Sequence, residues 1–80
     1  MYYVYVLLSL KNGDVYVGYS TDLRERFKSH TNGLVPATKP NRPWKLVYYE
    51  AFASKKDARR EELFLKSGKG KERIKYLLTE

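Results

Sequence analysis

The sequence predicts an α+β fold: a small three-stranded antiparallel sheet with flanking helices, in the order β-β-α-β-α-α. Three observations carry this expectation. Residues 2–10 are rich in Tyr, Val and Leu, which suits a strand buried on both faces. Asn12-Gly13 then signals a hairpin into a second strand, Asp14 to Ser20. Beyond it, Leu23, Arg26, Phe27 and His30 fall at i, i+3, i+4 and i+7, the spacing of one helical face.

The remaining elements follow in order. Thr21 or Asp22 caps the first helix, which runs from about Asp22 to Thr31 and closes at Asn32-Gly33. Pro36, Pro40 and Pro43, with Lys39 and Arg42 among them, make residues 34–43 a basic loop. Trp44 to Phe52 reads as the third strand. Ser54 caps a helix to about Lys66, Ser67-Gly68-Lys69-Gly70 breaks it, and a last helix covers Lys71 to Leu78. Pairing around the first turn puts Tyr5 and Tyr16 on the same sheet face.

Residues 1–80 read as a single domain with one modest core. A hydrophobic fraction of 42% and an aromatic fraction of 15% exclude a disordered tail. Sixteen Lys and Arg against nine Asp and Glu leave a net charge of +7, which favours a polyanionic partner. Nucleic acid comes first; an anionic membrane surface competes. The absence of cysteine excludes disulfides and thiolate metal sites, and the single histidine excludes a His-rich zinc site. Any metal would sit on carboxylates and water, which suits Mg²⁺ or Mn²⁺. The apolar run from Tyr2 to Leu10 is too short to span a bilayer and passes directly into Lys11-Asn12-Gly13, with no basic leader. A soluble cytoplasmic protein is the expectation.

An arginine on a core-facing helical stripe is anomalous, because an unpaired buried cation is costly. Arg26 therefore needs an anion, supplied either by a protein carboxylate or by a ligand whose phosphate its planar fork can grip. On the second helix, Ala58, Glu62 and Leu65 share a face and turn Glu62 toward apolar neighbours, with Glu61 at its edge. Glu62 could pair with Arg26 or hold a divalent cation. Tyr16 would ordinarily be a packing residue, but Gly18 leaves backbone room beside it. His30 fits a hydrogen-bonded or capping group, a phosphate contact or a proton carrier. Lys39, Arg42, Lys66 and Lys69 belong to a basic footprint, concentrated in the proline loop and the C-terminal third, that suits a phosphate backbone.

Together, Tyr3-Val4-Tyr5, Tyr16-Val17-Gly18, Arg26 ten residues after Tyr16, His30, and Ala58 through Glu62 to Lys66 resemble the GIY-YIG nuclease superfamily. The likeness is to its small stand-alone bacterial members, related to the nuclease module of the excision-repair endonuclease. Tyr3 stands where the first triad has glycine, and Val17 replaces the isoleucine of the second. The resemblance implies a divalent-metal-dependent endonuclease acting on duplex, branched or nicked DNA, in repair or recombination. It implies Tyr16 as proton acceptor from water, Arg26 on the scissile phosphate and Glu62 as the sole protein ligand of Mg²⁺ or Mn²⁺. Tyr5 would orient the site, and His30 would hold or relay a proton. A non-catalytic nucleic-acid-binding module is the rival expectation. A third is a protein-interaction domain, and a protein partner could also supply targeting.

Overall fold

A computed structural model of the chain describes residues 1–78. Its elements are β1 (Tyr2–Ser9), β2 (Val15–Ser20), α1 (Leu23–Thr31), β3 (Trp44–Phe52), α2 (Lys55–Lys66) and α3 (Gly68–Leu77). The sheet is antiparallel with the order β2-β1-β3, so β1 is central. That position explains its continuous apolar run, since Val4, Tyr5, Val6 and Leu7 are all buried.

Alternation along the strands divides the core between the two sheet faces. Val4, Val6 and Val17 meet Ala58, Leu65 and Ile74 from α2 and α3. Tyr5, Leu7 and Trp44 cluster on the opposite face with Tyr16, Leu23, Phe27 and Leu46. Tyr5 lies opposite Gly18 and Leu7 opposite Tyr16, so the two tyrosines share the α1 face as the turn predicts.

Two boundaries differ from the sequence expectation. The β1–β2 connection is wider than a two-residue Asn-Gly turn, because the strands stop at Ser9 and Val15. Ser9 Oγ organises it by accepting the backbone N–H groups of Lys11 and Asn12 at 3.1 and 3.2 Å. Gly13, at φ +80°, occupies the left-handed conformation that closes the loop. The second difference is that α3 begins at Gly68, not at Lys71. Ser67 alone ends α2, its N–H donating to Phe64 O, and also caps α3 by accepting the Gly70 N–H at 3.2 Å. Gly70 does not break the helix. It lets α3 approach α2 so closely that a Cβ there would collide with the Phe64 carbonyl and Leu65 Cα.

Helix α1 has only nine residues, too few to be stable alone. Asp22 caps it by accepting the Glu25 N–H at 3.1 Å. Gly33, at φ +72°, closes its C-terminal end. The proline loop is more ordered than its composition suggests. It contains a short 3₁₀ turn at Lys39–Asn41 and buries Val35 and Thr38.

Candidate active site

The site forms where the α1 face of the sheet meets the free edge of β2. Gly18 makes it geometrically feasible. The Tyr5 ring fills the space its side chain would take, and a Cβ at Gly18 would overlap the ring and hydroxyl. The Tyr5 phenol is thereby carried across β2 toward α1.

There it meets His30, which is fully buried despite being the polar end of the α1 stripe. Tyr5 Oη lies 2.8 Å from His30 Nε2, and His30 Nδ1 lies 2.8 Å from Thr38 Oγ1. Thr38 donates its own hydroxyl to Val35 O at 3.3 Å. Its oxygen must then accept from Nδ1–H, which leaves Nε2 unprotonated as the acceptor for Tyr5 O–H. The chain Tyr5 → His30 → Thr38 → Val35 thus runs in one direction. Burial, helped by the positive charge of Arg26, drives His30 down to about 4 and keeps it neutral. The Tyr16 ring packs edge-on against His30, with centroids 5.2 Å apart. Trp44 supports Tyr16 from the other side and donates its indole N–H to Thr38 O at 2.7 Å.

Arg26 is half-buried on the predicted stripe. No carboxylate pairs with it among the described residues. Its guanidinium sits beside the Tyr5 and Tyr16 phenols, and these neighbours, Tyr5 foremost, hold its charge more firmly. Burial pushes the Tyr5 phenol above its usual range, opposed by Arg26. The fork therefore faces two phenols and carries a charge that no carboxylate among the described residues neutralises, which suits a bound phosphate.

Glu62 reaches the same locus from α2, close enough for its negative charge to be felt by Tyr5. Its side chain is 11% exposed. Arg59 holds Oε1 at 3.1 Å and Lys66 holds Oε2 at 2.9 Å. The Arg59 guanidinium is in turn stacked over the Tyr19 ring at 4.7 Å. Glu62 is thus not the partner of Arg26. No group of three or more His, Asp or Glu is arranged for a metal among the described residues. A single carboxylate can still serve a hard cation that keeps its waters and takes phosphate oxygens, provided Arg59 or Lys66 yields.

The sequence-predicted basic residues have separate fates. Arg42 is spent on the 3₁₀ turn and the end of α1, donating to Lys39 O and Thr31 O at 3.2 and 3.4 Å. Lys39 lies exposed in the adjoining 3₁₀ turn. Lys66 is tied to Glu62, and Lys69 is exposed near the start of α3. Sequence reasoning missed Thr38 and Arg59. Thr38 gave no signal, because a threonine among prolines is indistinguishable from ordinary loop composition. Arg59 was detectable as an i−3 partner of Glu62.

Comparison with known proteins matches residues 1–75 to the GIY-YIG catalytic domain. A UPF0213 protein of Streptococcus pneumoniae is 38% identical over 76 residues, covering 94% of this chain and 76% of that protein. One from Clostridium perfringens is 39% identical over 67 residues, covering 82% and 71% respectively. The solution NMR structure of a UPF0213 protein from Bacillus halodurans aligns with a TM-score of 0.59 at 39% identity, covering 98% of this chain and 86% of that one. No helix among the described residues is long and apolar enough to cross a membrane. The match to the catalytic domain takes in Tyr5, Tyr16, Arg26, His30 and Glu62 together, and the chain belongs to the GIY-YIG family.

Proposed function

We propose that the protein is a divalent-metal-dependent endonuclease that hydrolyses a phosphodiester bond in DNA, in repair or recombination. The observation that carries this reading is Arg26, a guanidinium beside two phenols and with no carboxylate partner among the described residues, where one of those phenols, Tyr5, also feels the charge of Glu62. Arg26 binds the scissile phosphate and offsets the charge that develops on its oxygens. Tyr16 accepts the proton of the attacking water. Tyr5 donates to His30 and so turns its remaining lone pairs toward Arg26, which it positions. His30 holds the Tyr5 proton and keeps the guanidinium side of the phenol an acceptor. Glu62 would hold Mg²⁺ or Mn²⁺, which when bound supplies neutralisation at the leaving oxygen.

A non-catalytic nucleic-acid-binding module is the second reading, and one observation favours it: both Glu62 oxygens are engaged by cations. The test is incubation with nicked, branched and single-stranded DNA, with and without Mg²⁺ or Mn²⁺, for wild type and Tyr16→Phe. Cleavage that needs the ion and is lost in the variant supports the nuclease. Binding without products in every case supports the module.

A further inference from the structure

On the far side of the β2 edge, a groove of about 580 Å³ runs between β2 and the α2–α3 pair. Its size falls within the roughly 300–1,000 Å³ of clefts that hold small ligands. Leu65, Ile74, Val15 and Leu78 make its apolar lining, and Lys66, Lys71 and Lys75 stand along it. Asp14 is the one acidic residue lining it among the described residues. Leu65 and Ile74 are core residues, whereas Val15 is 44% exposed, so the apolar floor is continuous with the core but open above. Two residues link the groove to the candidate active site. Tyr16 lines it, and so does Lys66, whose ammonium holds Glu62.

We propose that this groove receives an unpaired nucleobase of the DNA strand whose phosphate meets Arg26, and that the protein thereby prefers duplexes with a single-stranded tail. The proposal rests on the nuclease reading for its neighbour, but it concerns binding alone. The chemistry is complementary on both counts. A base leaving the duplex loses its stack and regains apolar contact on Val15, Leu65 and Ile74. Its flanking phosphates fall among Lys66, Lys71 and Lys75, where each charge contact releases a counterion. A paired duplex, with its bases turned inward, gains only the charge.

The test measures binding in EDTA, so that turnover plays no part. Fluorescently labelled duplexes are compared: one blunt, one with a five-thymine tail, and one with an abasic tail of equal length. The thymine tail is expected to tighten binding about tenfold over the blunt duplex and severalfold over the abasic tail. The double variant Lys71→Glu/Lys75→Glu, checked for folding by circular dichroism, should weaken blunt and tailed duplexes alike, whereas Val15→Ser, at an exposed position of the apolar floor, should lose most of the preference for the thymine tail over the abasic one. Equal affinity for thymine and abasic tails overturns the proposal, since charge alone would explain it. So does displacement of the thymine tail by polyglutamate as effective as by oligothymidine, which would mark an acidic-peptide groove. Tail preference without cleavage of any DNA would retire the nuclease reading and leave the groove. Cleavage without tail preference would do the reverse.

Discussion

Tyr5 donates its hydroxyl to His30 Nε2 at 2.8 Å, and this one bond separates the roles of two tyrosines on the same sheet face. Tyr5 is committed as a donor inside the core, whereas Tyr16 reaches the same imidazole only through ring contact. In the proposed reaction Tyr16 is therefore the phenol that takes the proton. Tyr16→Phe should lower single-turnover cleavage by about 10²-fold or more, the range of a lost general base. Tyr5→Phe should leave measurable cleavage and cost about 1–3 kcal/mol of stability in urea, because His30 Nε2 loses its buried partner. A Tyr5→Phe protein as stable as wild type would contradict a stabilising role for the bond.

The tautomer itself is open to measurement. Long-range ¹H–¹⁵N NMR spectra should find His30 protonated at Nδ1 and bare at Nε2 at neutral pH. The ring should titrate near 4 and not near 6.5. Thr38→Val removes the acceptor of Nδ1–H and should destabilise the protein by about 1–3 kcal/mol in urea denaturation.

Stability should depend on pH through two groups of opposite sign. His30 is lowered from 6.5 to about 4 in the folded state. Between those values the unfolded chain binds more protons, so this contribution is lost as pH falls through that window. Glu61 runs the other way, raised from 4.5 to about 7 chiefly by its hydrogen bond with Glu50 and then by burial, with Arg73 opposing. Glu50 Oε1 is buried without a conventional donor, and Tyr48 also bonds this carboxylate. A proton on Glu61, donated to Glu50, accounts for both observations. The folded state holds that proton between about 4.5 and 7, so this contribution is lost as pH rises through the window. Thermal melts of Glu61→Gln should rise more steeply with pH between about 5 and 7 than those of wild type. Parallel curves would exclude that proton.

Much of the candidate site was legible because helical periodicity is a strong signal. The stripe Leu23, Arg26, Phe27 and His30, and the face Ala58, Glu62 and Leu65, needed only counting. The β1–β2 parity followed from the turn, even though the loop is longer than Asn12-Gly13 alone implies. What stayed hidden depends on contacts between distant segments. Thr38 acquires its role by meeting a histidine eight residues earlier across an irregular loop, and no period marks such a pair. Gly70 was misread for a similar reason. Its glycine answers the approach of α2 and not a break in α3, so composition pointed to the wrong boundary.

Arg59 and Lys66 make a prediction about metal affinity. Each holds one Glu62 oxygen that a divalent ion would need. Arg59→Ala should tighten Mn²⁺ binding severalfold, followed by electron paramagnetic resonance of the free ion, and Glu62→Gln should abolish it. Weaker binding in Arg59→Ala would mean that Arg59 builds the ion site and does not compete for it.

In the proposed reaction, Arg26 and Glu62 act on one phosphate from opposite sides of the β2 edge. Single-turnover cleavage of a nicked or branched DNA over a Mg²⁺ titration, for wild type and Glu62→Gln at matched DNA occupancy, tests this most directly. Saturating, ion-dependent cleavage is expected of wild type and none of Glu62→Gln, with DNA affinity retained. Comparable cleavage by the variant, or product formation indifferent to the ion, would contradict it.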